Sequence, residues 1–321
     1  MAQELDSPAY RIALTSMFAA IHFTMTMIPA VPAAGTGGVI SLGMISAAVA
    51  GFLLGPIVGT ISVLIGSYVA MLANAELMVL GLFTPLATAS GALAAGLIRI
   101  RKPIGVFILY IIAIGLYILS PIGIIGISFI WFHLFGLLLS LIIILPGISK
   151  MFLEYLNFES GKLILKKIER PNRAVLIIPV ILIIFGLGMF YLPGWEIPGI
   201  IVSAVGIVLL VLFGLQYSNI WGESMIAFWV VAFLAVMIDQ MMGSAIGVYY
   251  LTYFFGLDTN TIWGYWSAVM FLYPIERLFA SIFAATLIIA ISRTVLRAFP
   301  LPSMPYSSSK KEELLLDMEK E

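Results

Sequence analysis

The residue with the most chemistry open to it is Asp239, because it stands inside an apolar run, Ser224–Tyr249, that holds no other charge. It lies about fifteen residues from the start of that run. At 1.5 Å per residue this is roughly 22 Å along a helix, in the outer half of a hydrocarbon core about 30 Å thick. A carboxylate at that depth is costly unless it is paired, protonated or facing water. It therefore either contacts a substrate or a proton arriving from outside, or is a structural group bonded to a neighbouring helix. Gln240 follows it, and Gly243 and Gly247 let another helix approach closely. Glu276 follows Pro274 in the first turn of the last apolar run. Unsatisfied N–H groups and the helix dipole favour a carboxylate there. That accounts for Glu276 without a ligand, with Arg277 as an exposed surface partner; a ligand contact is the sharper reading.

Between these two carboxylates the chain is dense in rings: Tyr249, Tyr250, Tyr253, Phe254, Phe255, Trp263, Tyr265, Trp266 and Tyr273, with Asp258 and Asn260 among them. Aromatic side chains collect at membrane interfaces, so a belt is the plain reading. A platform that stacks a flat heterocycle is the functional one. His22 and His133 are isolated on apolar runs and read as hydrogen-bonded structural residues, with no spacing that suggests a metal site. The chain has no cysteine, no phosphate-cradling glycine loop with a lysine, no HExxH, no nucleophile elbow and no paired-carboxylate motif. The expectation is a protein that is not an enzyme and uses no cofactor or metal.

The elements that must carry these groups are set by composition. Of 321 residues, 62% are hydrophobic and only 10% charged, against about 25% charged in soluble domains, so lipid is the expected solvent for most of the surface. A neutral chain without a basic stripe argues against nucleic acid. The fold class expected is an all-α, polytopic membrane protein of about ten spans: near 8–28, 40–54, 56–72, 82–100, 104–119, 124–145, 174–192, 199–215, 224–249 and 274–297. A Gly/Ala/Pro stretch, Ala30 to Gly38, follows the first span, too irregular for a helix and apolar enough to lie at the outer surface or to re-enter. A charged stretch from Ile148 to Arg173 separates the sixth and seventh spans, and a polar tail closes the chain from Pro300. The opening residues lack a basic leader, so the N-terminus is expected to stay cytoplasmic. Threaded this way, every basic residue except Arg277 falls on one side, as retention of Lys and Arg in cytoplasmic loops requires. Both termini are then cytoplasmic, in a cell (plasma) membrane.

Glycine, alanine and serine, which permit close helix approach in lipid, concentrate in the first four and last two spans. Ile, Leu and Val dominate the fifth to eighth, which read as lipid-facing bulk.

Three segments resemble the substrate-capture (S) components of energy-coupling factor (ECF) transporters. They are RIALTSMFAAIHF with the loop IPAVPAAGTGGVISLG, the hairpin ISAAVAGFLLGPIVGTISVLIGSYVAML, and the closing FLYPIERLFASIFAATLIIAISRTV with its proline–x–glutamate. FTPLATASGALAAGLIRIRK and the ninth span also fit, and together these cover somewhat over half the chain. The resemblance implies capture of a vitamin-like micronutrient from outside. It also implies delivery through a transmembrane T component driven by a pair of ATPases. It implies a binding site from the outer loops and later core helices, here Asn74, Glu76, Thr84, Thr88, Asp239, Tyr249, Trp263, Trp266, Tyr273 and Glu276. On the first span it implies partner docking through small residues, here Ala13, Ser16 and Ala20, with serine where the family has alanine. The family core has six helices, so the chain divides as 1–102 and 218–299 for the core, 103–217 for a four-helix insertion and 300–321 for the tail. A lone proton-coupled secondary transporter and a non-transport assembly protein are the rival expectations.

Overall fold

In the computed structural model, the residues described are 7–32, 39–156, 158–159, 162–163, 177–191, six positions between 199 and 210, and 224–298. They are overwhelmingly helical: α1 (Pro8–Thr26), α2 (Gly43–Leu54), α3 (Pro56–Ala73), α4 (Thr84–Arg99), α5 (Pro103–Ile118), α6 (Trp131–Ile142), α7 (Pro146–Tyr155), α8 (Ile177–Phe190), α9 (Ser224–Tyr253), α10 (Thr259–Val269) and α11 (Leu272–Ala298). Proline opens α1, α3 and α5 at the one helical position where its missing N–H costs nothing. The stretch after α1 is ordered where it is described. Pro29–Pro32 (β1) pairs antiparallel with Val39–Ser41 (β2); residues 33–38 between them lie outside the described set.

Among the described residues, four helices are long and apolar enough to cross a membrane: Pro56–Ala73, Gly81–Arg99, Met225–Tyr253 and Leu272–Ser292. The count of ten is not supported among the described residues. Apolar runs overcount because they do not mark where the helix breaks. The run at 40–54 spends its start on β2, leaving a helix of 12 residues, roughly 18 Å long. The run at 124–145 is divided into a turn, a 3₁₀ segment (Ile127–Ile130) and α6. Much of the eighth predicted span, half of the charged middle stretch and the polar tail fall outside the described residues. On the outer faces of the helices, apolar side chains such as Ile57 (72% exposed) and Leu72 (89%) meet the surroundings, a surface suited to hydrocarbon rather than water.

α9 is the centre of the packing. Phe228 to Ile238 are all buried, because α2, α4, α5, α6 and α11 surround the helix. The N-terminal helices therefore pack directly on the C-terminal ones. The reading of the middle helices as lipid-facing bulk is corrected by α5 and α6. Tyr110, Tyr117 and Phe132 are fully buried, and Trp131 and Tyr273 hydrogen-bond across to the Met270 and Phe129 carbonyls. Their rings supply large apolar area, which aliphatic composition alone obscured.

Small residues set the distances. A methyl group on Gly51 of α2 would overlap the Ala92 carbonyl of α4, and one on Gly66 of α3 would sit 2.5 Å from the Ala19 carbonyl of α1. These backbones touch because neither glycine has a side chain. Between α2 and α3, Gly55 takes φ 82°, which a side chain would strain, and the Gly-Pro turn holds both helices close. Replacing Gly51 with valine is expected to destabilise the fold by about 2 kcal/mol or more through overpacking. Gly115→Ala, where nothing lies within 4 Å, should be neutral or slightly stabilising. Thermal unfolding of the two variants in detergent checks the contrast.

Candidate functional site

One end of the bundle holds a half-open cavity of about 280 Å³. Its wall is assembled from the same end of many elements: Thr26 at the end of α1, Ile40 and Ser41 of β2, Met44 of α2, Ser67 and Met71 of α3, Thr84, Ala87 and Thr88 of α4, and the Asp239–Ser244 part of α9. Leu77, Val79 and Leu80 between α3 and α4, Phe129, then Tyr265, Trp266 and Val269 of α10, and Leu272, Tyr273, Glu276 and Arg277 of α11 complete it. The opposite end of the bundle holds the Gly55–Pro56 turn, against which Gly96 of α4 packs.

The polar centre of this wall is an ion cluster. Arg277 Nη1 donates to Asp239 Oδ2 at 3.2 Å, and Nη2 lies 3.7 Å from Glu276 Oε1. The Met44 sulfur touches the same guanidinium. Arg277, expected on the surface, is 2% exposed. The reason is electrostatic: a guanidinium cannot be buried alone, and Asp239 on the neighbouring helix supplies the charge that permits it. The pair ties α9 to α11. Glu276 Oε1 and Arg277 Nε are buried without hydrogen-bond partners.

The sequence-derived candidates divide. Thr84, Thr88, Asp239, Trp266, Tyr273 and Glu276 line the cavity; Asn74, Glu76, Tyr249 and Trp263 do not. Asn74 accepts from the Glu76 amide and caps the 3₁₀ turn Ala75–Leu77, leaving Glu76 exposed. Tyr249 donates to the Leu116 carbonyl, and Trp263 packs on Gly126. Even among the lining residues some groups are already engaged. The Thr84 hydroxyl accepts from Leu80 N–H and donates to Gly81 O, both at 2.9 Å, and Tyr273 donates to Phe129 O at 3.0 Å. The aromatic connection separates into two groups. Tyr253, Phe254 and Phe255 are exposed, whereas Tyr265, Trp266 and Tyr273 turn to the cavity. Trp266 stands where it does because Gly247 of α9 has no side chain: a methyl there would lie 3.1 Å from the indole.

Arg277, Met44, Phe129 and Ser67 were missed as lining groups, while Gln240 and Tyr265 had been noted beside Asp239 and in the aromatic connection but not named as contacts. Of the four missed, Arg277 carried a signal, as the lone basic residue on its side of the threading. His22 bridges three helices, with Nδ1 2.8 Å from Ser46 Oγ and Nε2 2.8 Å from Ser67 Oγ, the structural role expected of it. His133 meets the Tyr110 hydroxyl at 3.3 Å and stacks on Tyr273. Ala13, Ser16 and Ala20 lie on an exposed face of α1. No group of three His, Asp or Glu converges as a metal site among the described residues.

α10 is held by its cap. Asp258 accepts from the Asn260 and Thr261 amides and from the Thr261 hydroxyl. That hydroxyl, then the amides, keep the carboxyl below its usual range. No family model, no curated protein and no solved structure matches the chain. The cavity is therefore what there is to interpret.

Two outcomes follow from this geometry. Arg277→Met leaves Asp239 buried and unpaired and should cost about 3–5 kcal/mol; the double variant Asp239→Leu/Arg277→Met should recover most of it, measured by thermal unfolding. The Asp258 carboxyl titrates below its unfolded value, so its cap is fully present above the unfolded pKa and lost as pH falls through the lowered one. Protection of the 259–262 amides, the intrinsic exchange rate over the observed one at each pH, should fall across that acidic window in wild type and be low throughout in Asp258→Ala.

Proposed function

We propose that this chain is a membrane-embedded capture subunit that takes a small, vitamin-like, heterocyclic micronutrient from outside the cell for uptake by an ECF-type transporter. The observation that carries the reading is the cavity itself. It is large enough for a small molecule, apolar over most of its wall, and furnished with a few convergent polar groups, the usual make-up of a ligand site. Six of the ten residues that the S-component resemblance implied lie around it. Its rings, Tyr265, Trp266 and Tyr273, suit a flat heterocycle.

Sidedness follows from charge. Arg99, Arg101 and Lys102 stand at the end of the bundle away from the cavity, and basic residues stay cytoplasmic. The cavity then opens outward, beneath the β1–β2 hairpin. A multi-pass placement in the plasma membrane, with both termini cytoplasmic, belongs to the same proposal. A T component and an ATPase pair would supply the energy, since no nucleotide motif exists in the chain. The exposed small residues Ala13, Ser16 and Ala20 suit a helix partner of that kind.

One observation favours a second reading. A buried Asp–Arg pair inside a spanning region is also what a proton-coupled carrier uses, and Asp239–Arg277 borders the cavity.

Protein purified from its native membrane should carry a bound small molecule that mass spectrometry identifies after extraction; a consistently empty or lipid-only preparation ends the capture reading. Trp266→Ala should lower affinity for that molecule roughly tenfold or more, the equivalent of about 1.5–3 kcal/mol of lost aromatic burial. Reconstituted alone in liposomes, the chain should not accumulate the molecule under a pH gradient, whereas a self-sufficient carrier would.

A further inference from the structure

Within the capture reading, the two carboxylates of the cavity differ in how far they are satisfied. Asp239 is 7% exposed and lies within hydrogen-bond distance of the guanidinium, 3.2 Å from Arg277 Nη1. Glu276 is farther off, at 3.7 Å, its side chain is 15% exposed, and its Oε1 has no hydrogen-bond partner. Arg277 is 3% exposed at its side chain and its Nε is also without a partner. Among the described residues no other Lys, Arg, Asp or Glu lines the cavity. The neighbouring acids, Glu76 and Asp258, are exposed outside it.

The charges in this wall do not cancel. By formal count one guanidinium faces two carboxylates, an excess of one negative charge where the surroundings are largely apolar. An anionic ligand would double that excess in a medium that screens poorly. A neutral ligand without a donor would leave Glu276 Oε1 unbonded, at the expense that any buried polar group incurs. A cationic N–H group meets both requirements at once, and a charge-assisted bond to a carboxylate is the stronger kind.

We infer that the captured molecule is a flat, singly positively charged nitrogen compound, an arylalkyl ammonium or a protonated amino-heterocycle. Its N–H is accepted by Glu276 and its ring lies against Trp266. Asp239 is then the structural partner that keeps Arg277 buried, and Glu276 is the specificity-determining residue. The inference rests on the capture function and names its substrate class.

Three indoles of nearly one shape test it: tryptamine, a cation; tryptophol, neutral; and indole-3-acetate, an anion. Each is titrated calorimetrically into the full chain in nanodiscs. Tryptamine should bind about tenfold or more tighter than tryptophol, the scale of one charge-assisted hydrogen bond, and indole-3-acetate should be weakest. In Glu276→Gln, checked for wild-type thermal unfolding, the tryptamine-to-tryptophol ratio should fall towards one. The wild-type series decides the matter even where that variant folds poorly. Equal affinities, or a preference for the acid, overturn the cation assignment and leave capture standing. Binding of none of the three also overturns it. Capture itself survives that result when extracted protein still yields a small molecule, and falls with it when the preparation is empty.

Discussion

A charge that water cannot reach must be met by charge from the protein, and this requirement organises the centre of the molecule. Arg277 is buried near the start of α11, and Asp239 of α9 answers it. The contact is a condition of burying either group. It fixes how the last helix meets the central one, and it brings Met44 of α2 against the same guanidinium. Three helices far apart in sequence therefore share one electrostatic junction, and the cavity is the space left beside it.

Around that junction, packing is controlled by what is absent from the backbone. Gly51 and Gly66 bring α2 to α4 and α3 to α1 at backbone contact, and Gly247 lets the Trp266 indole lie on α9. Such contacts suit lipid, where association depends on close van der Waals fit rather than on expelling water. His22 adds a polar rivet, joining α1 to Ser46 of α2 and Ser67 of α3. The cavity beside these contacts is walled by hydroxyls, such as those of Thr26, Ser67 and Thr88, and by rings, such as those of Tyr265 and Trp266.

Much of this was legible in the residues. The all-helical class, the apolar exterior, the isolated carboxylate Asp239 and the structural role of His22 follow from composition and local context. Helix starts were marked by proline, and their observed positions lie within a few residues of the expected ones for α1, α3, α4 and α11. Span number was less legible, because an apolar run reports solubility and not where hydrogen bonding breaks; β2 and the 3₁₀ turn before α6 are as apolar as the helices beside them. Side-chain roles were partly hidden as well. Asn74 lies outside the cavity wall and caps a 3₁₀ turn, and the Thr84 and Tyr273 side chains line the wall with hydroxyls already bonded to backbone, none of which residue type alone reveals.

By itself the sequence determined which surfaces seek lipid, which residues are too costly to bury unpaired, and which helices can approach at backbone distance, since each is a property of a residue and its near neighbours. Only the tertiary structure decided which residues answer one another. Arg277 is an exposed neighbour of Glu276 along the chain and a buried partner of Asp239 in space. Phe129 belongs to the 3₁₀ segment before α6 by order and to the cavity wall by position. The reason is that pairing energy depends on distance and dielectric, and both are set by how helices remote in sequence pack together.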